Sequence, residues 1–152
     1  MKRLFIFASA VVALVSLAGA VGYPAGYSAP RAGSSSSAAG AKARLEHGRY
    51  LVERVGLCGD CHTPMNEKGE PIAEKALQGA PVVFKPLVPI PNWAEYAPPI
   101  AGLARFSDEQ AITFLTTGKN PEGKLAAPPM PPFRFSREDA AAILAYLRSL
   151  KK

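Results

Sequence analysis

The sequence predicts an all-α domain of three to four helices joined by long proline-rich loops. Three observations carry this. Two Ser-initiated capping patterns each precede a run of apolar residues at helical spacing in the last third of the chain. An amphipathic stretch leads directly into the only pair of cysteines, and most of the fifteen prolines fall between these helical segments.

Taken in order, residues 43–57, A-R-L-E-H-G-R-Y-L-V-E-R-V-G-L, place Leu51, Val55 and Tyr50 on one stripe, with Glu46, Arg49, Glu53 and Arg54 elsewhere. This predicts a first helix that feeds into Cys58. Ser107, Asp108, Glu109 and Gln110 form a capping box ahead of Ile112, Phe114 and Leu115, and Gly118 is a natural stop, so a short helix is expected over residues 108–117. Ser136, Arg137, Glu138 and Asp139 repeat the start signal. Ile143, Leu144, Leu147 and Leu150 then follow at helical spacing to a basic end at Lys151 and Lys152. Between these helices, Pro81, Pro86, Pro89, Pro91, Pro98 and Pro99, and the run P-P-M-P-P at 128–132, deny both helix and sheet. So loop-rich a domain cannot close a core from its own side chains, which implies that a large group sits inside.

Two segments precede the domain. Met1, Lys2 and Arg3 give a positive start, residues 4–17 carry no charge, and Ala18-Gly19-Ala20 is a small-x-small cleavage pattern, so residues 1–20 read as an export signal or an N-terminal anchor. The cleavage pattern favours a signal. Residues 21–41 are rich in Gly, Ala, Ser and Pro without apolar period and read as a flexible linker, with a reach of roughly 25 Å that would suit a tether through residues 4–20. Residues 42–152 are then the folded domain. The chain carries a formal charge of +6, and setting aside Lys2 and Arg3 leaves 16 basic against 12 acidic residues, scattered along the sequence. There is no basic run with interleaved aromatics and no Gly-rich phosphate loop, so nucleic-acid and nucleotide binding are excluded.

Cys58-Gly59-Asp60-Cys61-His62 is the attachment pattern of c-type haem. Two intervening residues fold the segment into one turn, so both sulfurs face the same side and can each bond a porphyrin vinyl group, while His62 projects to the iron. Three other readings compete. A thioredoxin-like dithiol needs a strand-helix-strand setting, which the surrounding sequence lacks. A structural zinc would need all four of Cys58, Cys61, His62 and His47, the only Cys and His present, with adjacent Cys61 and His62 bending onto one metal. A disulfide leaves His62 unexplained. One covalent haem c through Cys58 and Cys61 is therefore expected.

From about residue 43 to 150 the chain resembles a class I monohaem cytochrome c, of the kind found beside periplasmic dehydrogenases and oxidases. The resemblance rests on G-R-Y-L-V before C-G-D-C-H-T-P, on G-L-A-R-F-S-D-E-Q-A-I-T-F-L-T-T-G, and on P-P-M-P-P-F ahead of S-R-E-D-A-A-A-I-L-A-Y-L-R-S-L. Residues 72–97 fall outside the pattern and have no assigned role. The resemblance implies the cytochrome c fold, one haem, and crossed terminal helices in which Tyr50 or Leu51 meets Leu144 and Tyr146 or Leu147, with Gly48 allowing close approach. It also implies that a proline carbonyl accepts the second ring N–H of His62, for which Pro81 is the candidate.

The sixth iron ligand follows by elimination. Met1 lies in the export segment and Met65 sits three residues past His62, on the same side of the ring, which leaves Met130. Prolines on both sides hold that loop extended, so the thioether is presented at little further entropic cost. His47 is the rival, more simply read as a solvated or locally bonded residue. A His/Met pair fills the iron's coordination, raises its potential and leaves one-electron exchange as its chemistry. Trp93 and Tyr96 are either core aromatics or donors to the haem propionates. The expected function is electron transfer between periplasmic redox proteins, donor and acceptor unnamed, without catalysis by the chain itself. The alternatives are a haem subunit of a larger dehydrogenase or oxidase and a haem enzyme or sensor with an open iron site.

Overall fold

The computed structural model describes residues 38–150. The expected export segment, and the linker up to residue 37, lie outside them. Among the described residues no helix is long and apolar enough to cross a membrane.

The chain runs through α1 (Ala38–Tyr50), a π-helical turn (Leu51–Val55), α2 (Cys58–His62), a 3₁₀ turn (Ala73–Lys75), β1 (Ala80–Pro81), β2 (Tyr96–Ala97), a second 3₁₀ turn (Ala101–Leu103), α3 (Asp108–Thr117) and α4 (Arg137–Ser149). The expected all-α architecture holds, with a two-stranded antiparallel ribbon as the only sheet among the described residues; it pairs Ala80 with Ala97 and Pro81 with Tyr96.

Both capping patterns act as caps. Ser107 accepts a hydrogen bond at Oγ from Gln110 N, Gln110 Oε1 accepts from Ser107 N, and Gly118 ends α3 at φ 72°. Ser136 Oγ accepts from Asp139 N to start α4. The first helix departs from expectation at both ends. It begins at Ala38, so residues 38–41, read as linker, are helical; the alanines that made the stretch look featureless are also the best helix formers. At its other end Gly56 N reaches five residues back to Leu51 O. Each residue of this wider turn advances less around the axis. Val52 therefore joins Leu51 in the core, whereas Val55 and Tyr50 are exposed, against the expected stripe.

Leu51 and Val52 pack with Leu77, Ala142, Ile143 and Leu147 to form the core, with Leu144 also buried. The α1–α4 crossing that builds it depends on Gly48. A Cβ at this position would overlap the carbonyl oxygen of Ala142 and lie 2.9 Å from Tyr146 Cβ. Polar bonds flank the crossing: Tyr146 donates its hydroxyl to Glu53 Oε1 at 2.7 Å, and His47 Nε2 bonds Asp139 Oδ1 at 2.7 Å. The far end of α4 is held by Arg148, whose guanidinium donates to the carbonyls of Gly102, Leu103 and Phe106 and to Asp108. Arg148 thereby satisfies loop carbonyls that have no helical partner.

Candidate functional site

The π-helical turn after α1 is capped at Gly56, and Leu57 turns the chain through a left-handed conformation (φ 48°, ψ 39°) so that α2 begins at Cys58 in a new direction. For a non-glycine residue this conformation is strained, and its position immediately before the cysteine pair is where such strain is retained for function. The single turn of α2 presents Cys58, Cys61 and His62 together. Cys58 and Cys61 are half-buried free thiols. Burial pushes the Cys58 thiol up to about 11, so it is a protonated thiol and not a thiolate ready for metal or redox exchange.

His62 is buried, and its ring is fixed by a bond of 2.6 Å from Nδ1 to the carbonyl oxygen of Pro98. A carbonyl can only accept, so the ring proton lies on Nδ1 and the Nε2 lone pair is free. Burial holds the ring below its ordinary pKa, with the Pro98 bond opposing, and the imidazole is neutral. The expected acceptor, Pro81, is thus corrected to Pro98. The reason is the ribbon: Gly79 and Pro98 are the residues that flank the Ala80–Ala97 pair, and Gly79 N donates to the backbone carbonyl of His62 at 2.8 Å. The end of the ribbon therefore grips both the ring and the backbone of His62. Thr63, also buried, accepts at Oγ1 from Leu77 N and completes the seat.

Met130 lies half-buried on a separate loop, its N–H bonded to Ala127 O at 3.2 Å. Three anchors fix that loop. Pro128 O accepts from Ala94 N at 2.6 Å, Phe135 N donates to Leu115 O, and Pro132 packs so closely on Gly118 that a Cβ there would lie 2.6 Å from Pro132 Cβ. Ala94 and Pro98 are four residues apart, a span of at most about 14 Å. One short segment thus holds the His62 turn at one end and the Met130 loop at the other. Sequence reasoning left residues 72–97, which include all of this segment but Pro98, without a role; the signal was the proline density that also marks the Met130 loop.

The remaining candidates fall elsewhere. Met65 is exposed, opposite Pro71 in a small bridge. His47, rival ligand and fourth ligand of the zinc reading, is half-exposed and bonded to Asp139. Tyr96 is exposed, so neither it nor Trp93, which is half-buried edge-on to Phe84, is a core aromatic. Trp93 Nε1 is buried without a hydrogen-bond partner among the described residues. An orphaned buried donor is costly unless something outside the described side chains accepts from it. A haem propionate is an acceptor of that kind. Two half-buried free thiols on one turn, a neutral imidazole with a free Nε2 and a buried orphan donor are a donor set that fits haem c.

The comparisons agree. The family model for cytochrome c matches residues 45–151. Over 108 residues the chain is 33% identical to the fructose dehydrogenase cytochrome subunit of Gluconobacter japonicus, covering 68% of this chain and 21% of the relative. It is 35% identical over 127 residues to the cytochrome c subunit of the alcohol dehydrogenase (quinone) of Gluconacetobacter polyoxogenes, covering 74% and 26%. A gluconate 2-dehydrogenase cytochrome c subunit from Pantoea cypripedii is 34% identical over 117 residues, covering 70% and 26%. The chain thus spans about a quarter of the length of these relatives. With the Cys58–His62 turn and the pinned, neutral His62, they place the chain in a family: it belongs to the cytochrome c family.

Proposed function

We propose that this chain carries single electrons through one haem c, bound covalently by Cys58 and Cys61 with His62 and Met130 as axial ligands, and that it serves a dehydrogenase outside the cytoplasm. The bound group supplies the reversible one-electron couple. The chain's own residues do the rest. The Pro98 bond fixes the ring of His62 and directs its Nε2 lone pair away from the protein backbone. The three anchors of the Met130 loop would hold a soft thioether for the iron, which would favour the reduced state and leave no coordination site open for substrate. The observation that carries the reading is the His62–Pro98 bond, because it sets the tautomer that an iron ligand needs. The cytochrome subunits of fructose, alcohol and gluconate dehydrogenases among the relatives support service to a dehydrogenase. The export-signal pattern read in residues 1–20 supports a periplasmic site, either soluble or tethered through residues 4–20.

The test is the spectrum of the purified holoprotein. One haem per chain by the pyridine haemochrome assay, a low-spin ferric iron with a sulfur-to-iron charge-transfer band, and slow binding of cyanide are expected. A high-spin, five-coordinate ferric iron that binds cyanide at once would replace the carrier with an open-site haem protein.

A further inference from the structure

Between β1 and β2 the chain makes a fourteen-residue excursion, residues 82–95, closed at its base by a bond from Val82 N to Glu95 O. Its apolar side chains point outward: Val83 is 76% exposed, Val88 66% and Leu87 104%. Pro86, Pro89 and Pro91 stiffen it, and Asn92 at φ 57° turns it back. Together its residues form an apolar dish of about 420 Å³, with Phe84 and Trp93 in the lining and Lys85 and Glu95 at its edge. A long loop that keeps its shape while exposing this much apolar surface marks an interaction site.

We infer that this loop is the docking surface for the electron-exchanging dehydrogenase, which seats an apolar side chain in the dish and presents carboxylates to Lys85 and to the unpaired cations of the segment that Ala94 ties to the loop. The inference rests on the electron-transfer reading above and adds the surface through which the partner is met. Two observations select the occupant. The first is charge: Lys85, together with Lys119, Lys124 and Arg134 on the segment flanking the Met130 loop, makes no ion pair among the described residues, against only Glu95 and Glu122 in the same two segments. A partner rimmed with acids is steered to such a face. The second is the backbone. No N–H between residues 83 and 93 donates to another described residue, and eight of those residues have one. Such amides pair with a partner's chain as an added strand would, whereas in hydrocarbon they would stay unsatisfied. This favours a protein over a bilayer. Ala94, bonded to Pro128, connects the base of the loop to the Met130 segment, so a partner seated here is held beside the iron's sulfur ligand.

The experiment uses the full holoprotein expressed in its own host with the photo-crosslinker p-benzoylphenylalanine at position 87 or, as control, at exposed position 67. Position 87 should crosslink to a flavin- or quinone-dependent dehydrogenase subunit identified by mass spectrometry, and position 67 should not. That dehydrogenase, purified and reduced by its substrate, should reduce the Leu87→Ser/Val88→Ser protein at least tenfold more slowly than wild type, and Lys85→Glu should add to the loss at low salt. Midpoint potential and reduction by ascorbate should be unchanged. A crosslink to lipid or to a second copy, sedimentation with phosphatidylglycerol vesicles that the double variant abolishes, or an unchanged reduction rate would overturn the docking surface. A haem that ascorbate and ferricyanide cannot cycle would instead strike down the electron-transfer reading itself, and the docking surface with it.

Discussion

The helical side of the molecule and its loop side are built on opposite principles. Where α1, the π-helical turn and α4 meet, Leu51, Val52, Ile143 and Leu147 are buried against one another and the backbones approach as closely as Gly48 permits. Across residues 81–135, by contrast, the only buried apolar side chains are Ala97 and Ala111, two of the smallest available. The first region has a core of its own. The second is organised by backbone hydrogen bonds and proline geometry, with almost no buried apolar side chain of its own. On the electron-transfer reading the contrast teaches that haem would serve as core for the second region and only as a neighbour of the first, so damage to haem attachment and damage to helix packing should leave different marks.

Replacing both Cys58 and Cys61 by Ala tests this most severely. Haem should become extractable by acid acetone, and the loop side should lose its fold, since a domain's whole stability of about 5–15 kcal/mol cannot absorb the loss of a central filler. Hydrogen exchange would resolve the halves: amides such as Ala94 and Phe135 should exchange freely while those in the middle of α4 keep partial protection. Uniform native protection would mean that the loop side closes without haem.

Met130→Ala acts on the loop side alone. Haem should stay bound through both cysteines. The midpoint potential should fall by roughly 0.1–0.3 V, within the range of about 0.8 V that axial ligands control, and stability should fall by about 2 kcal/mol. Cyanide or carbon monoxide should then bind quickly, provided that no lysine or water takes the vacated position. Potentials and binding rates that match wild type would reduce Met130 to a packing residue.

The two halves were also unequally legible in the sequence. Ser107, Gln110 and Ser136, one pair on the loop side and one residue at the start of α4, act locally, and a capping pattern can be read without knowing the fold. The same holds for Cys58, Cys61 and His62, whose spacing is their geometry. What failed to read was set at long range. Pro98 accepts from His62 across 36 residues because of a ribbon register that two-residue strands do not announce. Arg148 carries no signal in the sequence that its bonds reach 40 to 46 residues back. Val55 was assigned to the core because a 3.6-residue period was assumed where the chain makes a π-turn.

Two glycines sharpen the comparison. At Gly48 an added methyl group meets the Ala142 carbonyl, so Gly48→Ala must push α1 from α4 and should cost about 3 kcal/mol, lowering Tm by roughly 10–15 °C. Gly123, on the loop side, has nothing within 4 Å of its added Cβ and is glycine only for its φ of 75°. Gly123→Ala should cost about 1 kcal/mol of backbone strain. Equal losses in thermal unfolding would erase the distinction between packing and conformation.

The smallest effect expected is electrostatic and belongs to the helical side. The bond from His47 holds the Asp139 carboxyl below its ordinary value of 3.8, aided by Ser136 and opposed by slight burial. A carboxyl with a depressed pKa in the folded state contributes stability above the unfolded value, and that contribution disappears as pH falls through the folded one. The His47–Asp139 pair should therefore stabilise the α1–α4 crossing from neutral pH down to about 4 and fade below it. Because the pair is partly exposed, the contribution should stay under about 1 kcal/mol. Asp139 also sits in the first turn of α4, where any carboxylate is favoured. A double-mutant cycle with His47→Gln and Asp139→Asn, run by urea unfolding at pH 6 and pH 3, separates the two contributions. A positive coupling at pH 6 that is smaller at pH 3 is expected; a coupling of zero at pH 6 would show that the His47 bond does not hold the carboxylate in the folded state.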